Sequence, residues 1–182
     1  MTFTEAVRTC FSKYFTFSGR ASRPEYWWFV LFLLVARTIC NWLDGTIYGD
    51  ELIQTHVIDD QTYATIETTG PVESAFGLLT LLPFLTATWR RMHDTGRSGL
   101  YALLPILLMI GAFSVLIFGI GLASSFQHGG NLDILFTRAT LLIVIPTLLV
   151  LFVSPLLVLW WLSRPSQPGT NKYGPNPYEV AQ

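Results

Sequence analysis

Charge is scarce in this chain. Only 13% of its 182 residues are Asp, Glu, Lys or Arg, about half the roughly 25% of an ordinary soluble domain. Hydrophobic residues make up 51%, and they are clustered into long runs, which excludes the usual pattern of a dispersed polar coat over one core. Cysteine is nearly absent, with only Cys10 and Cys40. Cys40 lies about 20 Å deep in the first apolar run at 1.5 Å per residue, whereas a disulfide needs Cα atoms within about 7 Å. An internal bridge is therefore not expected, and two scattered cysteines make no metal pattern. No HExxH, P-loop or CxxC sequence occurs. No A-x-A-like cleavage site follows the first apolar run, so that run is expected to remain in the mature chain. A net charge of −1 gives no basic excess for a nucleic-acid partner.

What is present is a set of four apolar runs, at about 26–43, 74–89, 100–124 and 139–162. A spanning helix needs about 17–25 apolar residues. The third and fourth runs meet this easily. The second is short and is extendable to Gly70 or through Arg90. The first spans only if it tolerates Arg37.

The sign of the charges orients these runs. Arg8, Lys13, Arg20, Arg23, Arg90, Arg91, Arg97, Arg164 and Lys172 fall on one side. With only Glu5, Glu25, Asp94 and Glu179 among them, nine cations face four acids and leave +5. The opposite side carries Asp44, Asp50, Glu51, Asp59, Asp60, Glu67, Glu73 and Asp133 against Arg138. Basic residues mark cytoplasmic loops, so both termini are expected inside. The expected fold is an all-α membrane protein, a single domain over 1–182. Residues 1–25 form a cytoplasmic amphipathic segment, 44–73 an acidic outer loop and 163–182 a cytoplasmic tail, around four transmembrane helices.

Phe3, Ala6, Val7, Cys10, Phe11 and Tyr14 follow helical spacing and make one apolar stripe, suited either to the headgroup layer or to packing on protein. Thr2 with Glu5, and Ser22 with Glu25, fit capping boxes. Two β-prone runs, about Leu52–Ile58 and Thr62–Glu67, predict a small hairpin in the outer loop. Gly119 with Ala123 and Gly121 with Ser125 permit close helix approach. Pro83, Pro105, Pro146 and Pro155 invite kinks whose freed carbonyls need partners. Arg37, the intramembrane charge, has Asn41 and Asp44 on the same helix face. Outward snorkelling or pairing is favoured there over a substrate or ion site.

Ten residues, "RRMHDTGRSG" from Arg90 to Gly99, concentrate charge between two apolar runs. Its "DTG" matches an aspartic protease triplet, but that chemistry needs a second carboxylate. Its "GRSG" matches a membrane serine protease motif, yet Ser98 falls in a short loop without a sheltered base. His56 and His128 are expected across the membrane from His93, so they build no joint metal site. No catalytic residue, cofactor or metal is expected, and the chain is not expected to be an enzyme. Arg20, Arg23, Arg90, Arg91 and Arg97 instead gather at one membrane level. They suit contact with anionic lipid headgroups or another ligand, or pairing with Glu25 and Asp94 to staple the first three spans.

Three stretches, "FSGRASRPEYWWF", "RRMHDTGRSG" with its preceding Pro83, and "GTNKYGPNP", stand in this order. In them the chain resembles the domain-of-unknown-function family numbered 805, the YhaH-like bacterial inner-membrane proteins. The resemblance covers almost the whole chain and implies a multi-spanning helical protein of the inner membrane. It implies no activity, cofactor or catalytic residue, and the long acidic outer loop departs from it. Gly169, Asn171, Tyr173, Gly174, Pro175 and Pro177 then predict a tail that folds back onto the arginine corner. The expected role is a non-enzymatic scaffold or partner- or lipid-binding protein, with a membrane-protein partner or a second copy as candidate partners. A small transporter or channel is the alternative.

Overall fold

The computed structural model describes residues 1–49, 53–58, 61–66, 69–126 and 133–179. It is helical apart from one hairpin. The helices are α1 (Phe3–Ser12), α2 (Arg23–Ile47), α3 (Pro71–Asp94), α4 (Leu104–Phe126) and α5 (Asp133–Ser163), with a 3-10 helix over Gly99–Leu103 leading into α4. The predicted hairpin is there: β1 (Ile53–Ile58) pairs antiparallel with β2 (Gln61–Ile66), Ile53 opposite Ile66 and Ile58 opposite Gln61.

Among the described residues three helical stretches are long and apolar enough to cross a membrane: Arg23–Ile47, Pro71–Asp94 and Val144–Ser163. A shorter apolar stretch covers Gly99–Ser114. α2 and α3 outrun their apolar segments, because polar residues at their ends are held in the helix by partners. The largest correction is at the charged decapeptide. Arg90, Arg91, His93 and Asp94 are the last turn of α3 rather than a loop. They are buried, with Arg91 and Asp94 fully so. Charge ends an apolar run in sequence, but a paired charge need not end a helix. The loop proper starts at Thr95, and Gly96 (φ 77°) closes α3 with paired bonds from Gly96 N to His93 O and Arg97 N to Met92 O. These are the two bonds of a Schellman cap, which needs a left-handed residue there. The "DTG" triplet is thus a helix terminator.

At the opposite end the acids are also drawn into helices. Asp44 of α2 accepts hydrogen bonds from the first-turn amides of α3, from Val72 N at 2.9 Å and Glu73 N at 2.7 Å. It supplies the cap that Gly70 has no side chain to provide. A Cβ at Gly70 would stand 2.3 Å from the Asp44 carboxyl carbon, so the two positions fit only as a pair.

The α1 stripe divides. Ala6 and Cys10 are fully buried, and Phe11 meets Phe29 and Phe32 of α2 edge-on. The centre of the stripe therefore packs on protein. Phe3, at its start, is 40% exposed, and Phe15, just beyond the helix, is 74% exposed. Thr2 and Glu5 form the full capping box. Ser22 accepts from Glu25 N, but the Glu25 side chain does not return the bond. It is taken by Arg90 instead. Pro83 has no N–H, which frees the carbonyl four residues earlier. That carbonyl, Leu79 O, accepts the Tyr14 hydroxyl at 2.6 Å.

The helices form two pairs. α2 packs on α3 with α1 across them, and α4 packs on α5. The buried core sits at one end, where Cys10, Tyr26, Phe29, Ala87, Met92, Val158 and Leu162 converge. Along α5 the buried positions Thr147, Ser154, Val158 and Leu162 trace one face, and Leu148, Leu149, Phe152 and Leu156 remain exposed, as lipid-facing positions do. The side chains of the Gly119–Ala123 and Gly121–Ser125 pairs, of His56 and of Arg138 lie outside the described set. So do Asp50, Glu51, Asp59, Asp60, Glu67 and His128 entirely.

Candidate functional site

The end of α3 is the meeting point of four chain segments: the α1–α2 link, α2, the end of α5 and the C-terminal tail. Asp94 is its hub and is fully buried. Its Oδ1 accepts Arg20 Nε at 2.9 Å. Its Oδ2 accepts both Arg91 Nη1 and the Ser166 hydroxyl. One carboxylate therefore holds two guanidiniums, leaving a local excess of positive charge.

The excess is met by helix-end carbonyls. Arg91 donates from Nε to Leu162 O at 2.9 Å and from Nη2 to Arg164 O. Arg23 Nε reaches the same Arg164 O at 2.8 Å. The C-terminus of a helix carries roughly half a negative charge, and here the end of α5 presents it to two arginines. Arg20 spends its remaining N–H groups on the tail, with Gln167 O at 2.5 Å and Gly169 O at 2.8 Å.

A second pair lies beside the first. Arg90 Nη1 donates to Glu25 Oε1 at 2.5 Å, with both side chains about 5% exposed or less. Among the described residues Arg90 Nε and Nη2 have no hydrogen-bond partner. Cys10 adjoins this pair. Burial, followed by the Glu25 charge, pushes its thiol up to about 12 from 9.0, so it is neutral and unreactive.

The tail folds back as expected. Tyr173 stacks on His93 with ring centroids 3.7 Å apart. Asn171 Nδ2 donates to His93 O at 3.0 Å, and Gln167 N to Asp94 O at 2.9 Å. Ala21 N completes the set by donating to Arg90 O at 3.1 Å. The carbonyls that a helix end leaves open are thus closed by both the link and the tail. Gly96 is held to glycine by its left-handed φ of 77°, and a Cβ there would also push the end of the Gln167 side chain aside.

The structure brings Arg20, Glu25, Arg90, Arg91 and Asp94 into one buried cluster, with Arg23 at its edge. Arg97 stands apart. It lies over Trp161 at 4.9 Å and donates to Thr95 O at 3.3 Å, and burial lowers its pKa. Ser98 caps the 3-10 helix by accepting from Leu100 N at 3.4 Å. Gly99 lies against Trp89, whose ring is 2.1 Å from where a Cβ would sit. Arg37 is at the other end of the helix pair, where its Nε donates to Glu73 Oε1 at 2.5 Å. Asn41 Nδ2 reaches the other Glu73 oxygen at 3.0 Å. Asn171 belongs to the predicted fold-back, but Ser166 and Gln167 were not singled out in the sequence. Short polar residues in a tail carry no periodic signal, and only their carbonyl and carboxylate partners reveal them. Among the described residues no group of three metal-ligating side chains stands together.

The family described as "Protein of unknown function (DUF805)" matches residues 14–175. The chain belongs to this family. The DUF805 match begins at Tyr14, the residue that closes the Pro83 gap, and ends at Pro175, just beyond the stacked Tyr173. Two curated relatives are similar over part of the chain. Inner membrane protein YhaH of Escherichia coli (strain K12) is 30% identical over 109 residues, which is 58% of this chain and 75% of that protein. Inner membrane protein YhaI of the same strain is 39% identical over 106 residues, 58% of this chain and 74% of that protein. No solved structure matches. The family, these relatives and the apolar helices make this an integral membrane protein of the DUF805 family.

Proposed function

We propose that this DUF805 protein is a non-enzymatic scaffold of the bacterial inner membrane, and that its arginine corner is a clasp. Four helices cross the bilayer, both termini face the cytoplasm, and α1 lies in the inner headgroup layer, with Phe15 just after it toward lipid. The observation that supports the clasp is the occupancy of Asp94. It is buried, it takes Arg20, Arg91 and Ser166 together, and those arginines spend their other donors on backbone carbonyls. A site for an exchangeable substrate needs unsatisfied groups open to solvent, whereas these groups are consumed in joining one helix pair to the other. The clasp fixes α1, the linker and the folded tail as one cytoplasmic face for a protein partner or a second copy. Anionic headgroup contact, the other reading of the corner, falls to Arg23 and Arg97 at its edge.

Transport is the weaker reading. Between Arg37 and the corner the α2–α3 groove is lined mainly by Val30, Leu33, Leu34, Phe76, Leu81 and Phe84, with the Thr80 hydroxyl donated to Phe76 O, which gives a polar solute few partners. The test is purification in native lipid followed by mass spectrometry of co-purifying molecules. A stoichiometric protein partner or second copy, lost when the tail after Pro165 is removed, is the expected result. Solute uptake by the purified chain in proteoliposomes would overturn the scaffold reading. A stoichiometric anionic lipid lost on Arg90→Ala and Arg91→Ala would return the corner to the headgroup reading.

A further inference from the structure

A groove of about 410 Å³ runs between α2 and α3 and is open on its outer side. Its walls are mainly apolar, formed by Val30, Leu33, Leu34, Phe76, Leu81 and Phe84, and the hydroxyl of Thr80 among them is donated to Phe76 O at 2.7 Å. Gly77 lies in its floor, and a Cβ there would meet nothing within 4 Å. At one end stands Arg37. Its side chain is 65% exposed, whereas its partner Glu73 is 7% exposed. Among the described residues the guanidinium is used through Nε, in the bond to Glu73. Among the described residues no partner takes its two Nη groups. Glu73 sits in the first turn of α3, so the guanidinium reaches the level where α3 enters the bilayer.

We propose that this groove holds one acyl chain of a glycerophospholipid, with the lipid phosphate on the Arg37 Nη groups. The inference takes from the scaffold reading only that α2 and α3 cross the bilayer, and it holds for whichever leaflet faces the Ile47 and Pro71 ends. Three features favour a lipid. The walls are too apolar to hold water, which needs polar partners. The exposed fork at the mouth offers two parallel N–H groups, the geometry that phosphate oxygens accept. Among the described residues the acids nearby are already engaged, Glu73 by Arg37 and Asn41, and Asp44 by the α3 amides, so the fork is the exposed charge there. A second copy docked groove to groove about a two-fold axis would bring Arg37 toward its own counterpart, and like charges repel.

The test uses the full chain in nanodiscs of phosphatidylethanolamine and phosphatidylglycerol. A trace phospholipid with a diazirine on its acyl chain is added, and the photolabel is mapped by mass spectrometry. Label concentrated on Leu33, Leu34, Gly77 and Leu81 is expected. It should fall at least fivefold in Gly77→Phe, whose Cβ meets no protein atom within 4 Å and whose ring would occupy the groove. It should fall severalfold in Arg37→Gln and be largely restored in Arg37→Lys. Leu78→Phe, on the exposed face beside it, should leave the labelling unchanged. Because Arg37→Gln also removes a partner of Glu73, Gly77→Phe decides the outcome if that variant does not fold. Label spread evenly over exposed apolar residues and unchanged in Gly77→Phe overturns the proposal. So does efficient disulfide crosslinking between copies of Gly77→Cys in lipid-replete membranes, which would show protein in the groove. Either negative result leaves the scaffold reading untouched, because the clasp lies at the far end of the helix pair.

Discussion

Asp94→Asn removes one charge and no volume. In the native chain that charge is shared by Arg20 and Arg91 with essentially no exposure. The substitution leaves two guanidiniums buried with amide and carbonyl oxygens alone. Removing one partner of a buried ion pair costs about 3–5 kcal/mol. Arg91 keeps the carbonyls of Leu162 and Arg164, and Arg20 keeps those of Gln167 and Gly169. These residual bonds set the loss toward the lower bound, about 3 kcal/mol. Total stabilities are only about 5–15 kcal/mol, so the effect is large. It is read from reversible chemical unfolding in mild detergent, followed by tryptophan fluorescence, since Trp89 and Trp161 flank the clasp. Arg20→Gln in the Asp94→Asn background should then cost far less than in the wild type, with a coupling of about 0.5–3 kcal/mol. Loss within the roughly 0.5 kcal/mol of an ordinary surface change, with no coupling to Arg20, would refute the clasp.

Other perturbations probe separate joints. Tyr14→Phe should cost about 1 kcal/mol by orphaning Leu79 O, and the cost should nearly vanish in Pro83→Ala, which restores the helix N–H; equal costs in both backgrounds would contradict the repair. Gly99→Ala should destabilise by about 1–3 kcal/mol as its methyl meets the Trp89 ring, and Trp89→Leu should relieve most of that. Cys10 should resist maleimide at neutral pH until the chain unfolds, as mass spectrometry of the labelled peptide will show. Its raised pKa also sets a sign. Above 9.0 the unfolded chain releases a proton that the folded thiol keeps to about 12. Folding stability is then unaffected below pH 9 and falls through that window, a loss absent in Cys10→Ala.

The helices were legible because apolar run length maps directly onto bilayer thickness. Their ends were not, because sequence treats each charge as a stop while the structure pairs them. Glu25 and Arg90 are 65 positions apart, and no local pattern announces that bond. It also explains why the box at Ser22 is half-built: the Glu25 carboxylate has a stronger partner than its own backbone. Asp44 looked like a loop acid, and its role as the cap of α3 depends on Gly70, 26 residues further on. The fold-back of Tyr173 was legible because Gly and Pro around it leave little alternative to a turn. The stack on His93 was not, since ring contacts across segments follow from the fold alone. The α1 stripe was legible as amphipathic, but periodicity does not distinguish a lipid surface from a protein one.

The most direct test of the clasp is proximity of the tail to α3 in intact inner membranes. His93→Cys and Tyr173→Cys, placed together in a chain lacking Cys10 and Cys40, are treated with a short thiol-to-thiol crosslinker. The clasp predicts efficient intramolecular crosslinking that drops sharply when Asp94→Asn is added. Absence of the crosslink in otherwise folded protein, or the same yield with Asp94→Asn, would contradict it.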